Sequence, residues 1–193
     1  GRHRHASHGG RMKRHCLSTM YGVGLVRIAP GTVGSLVASL LAYPILLLPM
    51  GYAWLTGAAL VLLLLGTVSA SRFMRDRNTT HDPKEIVIDE LVGQWLTYSV
   101  WYGMLIAIAG NLHVAKRLLD EVAATPLYLL LGFAFFRLFD IAKPWPISWA
   151  DRRLKGGFGV MFDDVLAGIV AGVLLYVVYL FMPYFMGQLE VNP

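Results

Sequence analysis

Cysteine and charge are what this chain lacks. A single cysteine, Cys16, stands among 193 residues. That excludes an intramolecular disulfide and any cysteine-rich zinc site. A cysteine-phosphatase loop is excluded too, because it needs an arginine six positions on, and that position is Gly22. Charged side chains make up 15% of the chain and hydrophobic ones 56%, where soluble domains carry about 25% charge. Mean hydropathy is +0.55. This argues against a water-soluble globular domain and against a disordered one. Acid is missing altogether from the first 16 residues, where Arg2, Arg4, Arg11, Lys13 and Arg14 lie. Those five side chains account for the whole formal charge of +5. The basic balance therefore describes a leader, and no nucleic-acid-binding body is expected. Residues 1–19, which also hold His3, His5, His8 and His15, read as a disordered or extraneous leader. Residues 20–186 read as one domain and 187–193 as a short tail.

What the chain has in abundance is apolar sequence. Five runs stand out: Ser35–Met50, Tyr52–Ser71, Leu91–Ala109, Ala123–Phe139 and Val165–Met186. A bilayer core of roughly 30 Å takes about 20 helical residues to cross. Pro49 and Gly51 break the first run from the second, which predicts a tight helical hairpin. Ala167, Gly168, Ala171 and Gly172 give the last run small-xxx-small spacing for close helix contact. The expected fold is all-α: a polytopic integral membrane bundle of about five hydrophobic helices. Polar loops or short helices on the cytoplasmic side would form the site. With a cytoplasmic N-terminus, five spans place residues 72–90 and 140–164 inside. Those stretches hold Arg72, Arg75, Arg77 and Lys84, then Lys143, Arg152, Arg153 and Lys155. Outside fall only Lys116 and Arg117, offset by Asp120 and Glu121. The positive-inside rule agrees with that orientation.

The few charged residues are grouped. Asp82-Pro83-Lys84-Glu85 has the form of a capping box, with proline at the first helical position. Asp89 and Glu90 would then lie two turns on, with Asp82 and Asp89 on one helix face. Two acids entering an apolar helix are costly unless paired or metal-bound. Arg137, Asp140 and Lys143 form an i, i+3, i+6 stripe, and Pro144 ends the helix. Trp145 and Trp149 suit a membrane-interface belt. Gly156-Gly157-Phe158-Gly159 reads as a turn whose backbone could approach an anion. Asp163 and Asp164 follow it and open the last run. Gly31-Thr32-Val33-Gly34 precedes the first helix and could cradle a phosphate at its N-terminus. The topology gathers Asp82, Glu85, Asp89, Glu90, Asp140, Asp163 and Asp164 on one membrane face with Arg137, Lys143, Arg152 and Arg153. Clustered carboxylates suit a hard divalent ion such as Mg²⁺. Cations beside them suit a phosphoryl group. The residues alone point to metal-assisted phosphate chemistry on a lipid.

These strings together resemble the phosphatidylglycerophosphatase A family. The matching elements are Ala29-Pro30-Gly31-Thr32 with Gly34; Asp82-Pro83 through Asp89-Glu90; Arg137-Leu138-Phe139-Asp140 with Lys143-Pro144-Trp145-Pro146; and Asp151 with Gly156-Gly157-Phe158-Gly159 and Asp163-Asp164. They span about residues 20–185. The resemblance implies a bacterial inner-membrane enzyme acting on a phospholipid at the cytoplasmic face. It would use Mg²⁺ to remove the terminal phosphate of phosphatidylglycerophosphate, leaving phosphatidylglycerol. On that footing Asp89, Glu90, Asp163 and Asp164 are expected as metal ligands. Asp82 and Asp140 would complete the shell or act as base. Thr32, Arg137, Lys143 and Arg152 would hold the phosphate. Division of labour among the acids stays open, as does a covalent aspartyl-phosphate route. Two rivals stay open as well: a phosphatase for another lipid phosphate, and a transporter using acids at the membrane edge.

Overall fold

The structure is a computed structural model that describes residues 29–77, 86–109 and 125–191. Among them are six helices and no strand: α1 (Pro30–Leu46), α2 (Gly51–Arg77), α3 (Ile88–Ile108), α4 (Pro126–Ala142), α5 (Ile147–Arg153) and α6 (Gly156–Val191). Proline opens both α1 and α4, where its fixed φ suits a first turn and its missing N–H is not needed. Gly51 begins α2 so close to the end of α1 that a Cβ there would stand 2.1 Å from the Ile45 carbonyl oxygen. This is the expected hairpin. Lys143 ends α4 in the left-handed conformation, at φ 42°.

Three helices are long and apolar enough to cross a membrane: Gly51–Asp76, Ile88–Ile108 and Gly156–Met182. The other two expected spans, α1 and α4, have 17 residues each. That is roughly 25 Å of helix, somewhat short of the hydrocarbon thickness. Surface and interior are arranged as a bilayer requires. Leu40, Trp54, Leu64 and Leu130 point outward, while Ser35, Ser39, Gln94, Thr97, Asp89, Asp163 and Asp164 are buried. With lipid outside, the polar groups have only each other.

α3 lies at the centre. It packs against α1, α2, α4 and, most extensively, α6. Glycine sets that spacing. A Cβ on Gly168 would meet the Gly93 carbonyl oxygen at 2.3 Å, and one on Gly172 would meet that of Thr97 at 2.6 Å. Ala167 and Ala171 are buried beside Phe136 and Ile147. The small-residue spacing thus does what it implies, with α3 as the partner. Trp95 fixes α3 to α1 by donating its indole N–H to the Ala38 carbonyl at 2.9 Å. Tyr98 reaches both neighbours, 2.9 Å from Ser39 Oγ on α1 and 2.9 Å from the Leu129 carbonyl on α4. The starts of α1, α3 and α6 and the end of α4 gather at one end of the bundle, because Gly31 approaches Glu90 and Arg137 and Lys143 reaches Asp163.

Candidate active site

At that end the first turn of α3 presents Asp89 and Glu90. Asp164, on α6, meets them. One carboxylate oxygen from each of Asp89, Glu90 and Asp164 lies within 4.8 Å of the others. Asp89 and Asp164 are buried, and Glu90 Oε2 is a buried atom with no hydrogen-bond partner. Three carboxylates held this close repel one another unless a cation or protons intervene. All the donors are hard oxygens, which fits Mg²⁺. Asp140 stands within electrostatic reach of Glu90, Asp163 and Asp164.

Arg137 borders this group from α4. Its Nη1 pairs with Asp140 one turn on and lies 3.5 Å from Ser35 Oγ. Glycine at position 31 admits both charged groups: a Cβ there would lie 2.2 Å from Glu90 Oε1 and 3.2 Å from Arg137 Nη1. Lys143 serves a second set. Its ammonium is 2.6 Å from Asp151 Oδ1 and 2.6 Å from Asp163 Oδ2. Burial alone would push the Lys143 pKa down, but hydrogen bonds to Asp151 and Asp163 outweigh it and hold the ammonium above the usual lysine range.

The expected site residues therefore divide. Asp89, Glu90, Asp164, Asp140 and Arg137 come together. Asp163 turns instead to Lys143, so the adjacent aspartates point to different partners. Lys143 does not continue the Arg137–Asp140 stripe, because its left-handed backbone redirects the side chain toward α5 and α6. Thr32 sits in the first turn of α1, next to Gly31. Arg152 is exposed near the end of α5. Asp82 and Glu85 lie outside the described residues.

Two local readings need correction. α3 starts at Ile88, with Ile86 and Val87 non-helical. Asp89 therefore opens the helix rather than lying two turns into one begun at Asp82. The stretch Gly156–Gly159 is the first turn of α6 rather than a turn preceding it. Gly157 and Gly159 serve packing, since a Cβ on Gly157 would meet the Thr67 carbonyl oxygen at 2.4 Å, whereas Gly156 supplies a left-handed backbone at φ 73°. Asp163 and Asp164 consequently lie two turns inside α6. Ser35 and the Asp151 partnership were not anticipated. The signal for Ser35 was its place one turn after Gly31.

The family model for Phosphatidylglycerophosphatase A matches residues 16–179. A Phosphatidylglycerophosphatase A of Escherichia coli is 36% identical over 164 residues, covering 84% of this chain and 81% of that one. Its namesake in Haemophilus influenzae is 34% identical over 172 residues, covering 87% and 90%. A Bacteroides thetaiotaomicron protein, named provisionally as a phosphatidylinositol-3-phosphatase, is 34% identical over 163 residues, covering 83% and 90%. No solved structure matches the chain significantly. The family model and the two namesakes agree: the chain belongs to the phosphatidylglycerophosphatase A family.

Proposed function

We propose that the protein is a Mg²⁺-dependent phosphatidylglycerophosphatase of phospholipid biosynthesis, hydrolysing the terminal phosphate of phosphatidylglycerophosphate to yield phosphatidylglycerol. The observation that carries this is the buried convergence of Asp89, Glu90 and Asp164 beside the Arg137–Asp140 pair. Asp89, Glu90 and Asp164 would hold Mg²⁺. Bound there, the ion supplies charge neutralisation and Lewis-acid polarisation of a phosphoryl oxygen. Arg137 offers a planar set of donors to the phosphate. Asp140, already near both Arg137 and Asp164, takes a proton from the attacking water, and Asp82 is a second candidate for that role. Lys143 fixes the α4–α5–α6 junction through Asp151 and Asp163 and keeps α6 in register with the site. Positive loops flanking this end of the bundle support a cytoplasmic active site in a bacterial inner membrane.

Phosphate release by the detergent-solubilised protein tests the reading. Phosphatidylglycerophosphate should be hydrolysed with Mg²⁺ and not in excess EDTA. Asp89→Asn and Asp164→Asn should each lower turnover by at least about 100-fold, a typical scale for removing one preorganised charge. Near-normal release by both variants would show that the acid cluster is not the active site. The Bacteroides relative's name favours one second reading, a different lipid phosphate as substrate. A parallel assay on phosphatidylinositol 3-phosphate separates the two.

A further inference from the structure

Glu90, Gln94 and Tyr98 are spaced by four along α3 and share one face of it. Gly31, Ser35 and Ser39 do the same along α1. The two faces meet rung by rung. At the top, Glu90 Oε1 lies where a Cβ on Gly31 would be, 2.2 Å away. At the bottom, the Tyr98 hydroxyl is 2.9 Å from Ser39 Oγ. On the middle rung Ser35 is satisfied by donating to the Gly31 carbonyl at 2.8 Å. Gln94, between Glu90 and Tyr98 on α3, is 0% exposed; neither its Nε2 nor its Oε1 makes a well-formed hydrogen bond, although the Tyr98 hydroxyl is near enough to interact with it. Glu90 Oε2 and Arg137 Nε, one turn nearer the bundle end, are also buried and unpartnered.

A buried primary amide with both ends short of a well-formed hydrogen bond is a costly arrangement for a protein interior. Replacing Gln94 by an aliphatic residue would be the stabilising choice if packing were its only task. An amide offers both donor and acceptor, which is the complement of an alcohol rather than of a phosphate alone. In a glycerol phosphate the neighbouring hydroxyl is three bonds from the ester oxygen. It therefore lies about 5 Å from the phosphorus, close to one helical turn. Glu90 and Arg137 mark the phosphate level, and Gln94 lies one turn deeper along α3.

We propose that Gln94 is a specificity-determining residue that binds the hydroxyl on the carbon next to the phosphate-bearing carbon of the lipid headgroup. This rests on the lipid-phosphatase reading given above. The test compares two substrates: phosphatidylglycerophosphate, and its propanediol analogue, which lacks only that hydroxyl. Wild-type protein should favour the glycerol lipid in kcat/KM by about 10- to 100-fold, as expected when a buried polar group loses a hydrogen-bond partner. In Gln94→Leu and Gln94→Met the preference should shrink to within about threefold. A general packing defect would slow both substrates alike and leave the ratio intact, so a preserved ratio in either active variant overturns the proposal. Equal use of both lipids by the wild type overturns it without any variant, even if both fail to fold. Failure of the wild type on both lipids is a different result, and it removes the enzymatic reading together with this one.

Discussion

Adjacent aspartates on one helix have separate tasks here. Asp163 is bound to Lys143 at 2.6 Å, whereas Asp164 faces Asp89 and Glu90. Lys143→Met should leave Asp163 buried without its cation. A loss of about 1–3 kcal/mol is expected, the scale of an uncompensated buried polar group. Thermal unfolding in detergent measures it, and adding Asp163→Asn should restore part of the loss. The folded pKa of Lys143 is raised, so its contribution is complete below the unfolded lysine value of about 10.4 and fades only as pH rises beyond it. Varying the pH around neutral should therefore leave the contribution of this pair, and the loss in Lys143→Met, unchanged. Gly31 makes a different prediction. Gly31→Ala puts a methyl group where Glu90 Oε1 now sits, so phosphate release should fall by about tenfold or more, as misplaced catalytic groups do. The melting temperature should hardly move, since a carboxylate end can swing aside. An unchanged rate would mean that the position of Glu90 is immaterial.

At the scale of elements, α3 and α6 are joined along glycine. Gly168 lies against the Gly93 backbone and Gly172 against that of Thr97. Backbone cannot yield as a side chain can, so Gly168→Ala must push the helices apart and should cost about 1–3 kcal/mol. Gly103 lies on the same α3 with nothing within 4 Å of its would-be Cβ. Gly103→Ala should be neutral or stabilising by up to about 1 kcal/mol. Equal effects at both positions would refute packing as the reason for the small-residue spacing. That spacing was legible in the sequence, as were the hairpin at Gly51 and the long apolar runs, because hydropathy and proline act locally. The stretch Gly156–Gly159 was misread for the converse reason. Glycine pressed against a neighbouring helix and glycine in a turn have the same composition, and only the presence of α2 at Thr67 decides between them. Asp163 and Asp164 were likewise inseparable by sequence. Adjacent residues of a helix point about 100° apart, so the two diverge once the chain is helical there; which partner Asp163 meets depends on the left-handed residue Lys143, whose backbone no short motif specifies.

For the molecule as a whole, an apolar surface encloses a mostly apolar core that also holds a few acids, and the acids carry the consequence. Asp89, Glu90 and Asp164 are crowded in an interior with little water to screen them, so the metal-free fold bears their mutual repulsion. A cation that binds the folded state alone stabilises it by mass action, by about 2.7 kcal/mol at a hundredfold excess over Kd. Titrating Mg²⁺ into the detergent-solubilised protein should therefore raise the unfolding midpoint, with no substrate present. Asp164→Asn should act oppositely in the two conditions. It removes one of three repelling charges and should raise the midpoint in EDTA, but it also removes a ligand and should abolish the rise with Mg²⁺. A variant that is less stable in EDTA and still responds fully to Mg²⁺ would place the cation elsewhere. The crossed outcome would show that the same three carboxylates weaken the fold and supply its chemistry, which explains why an otherwise apolar bundle keeps acids inside it.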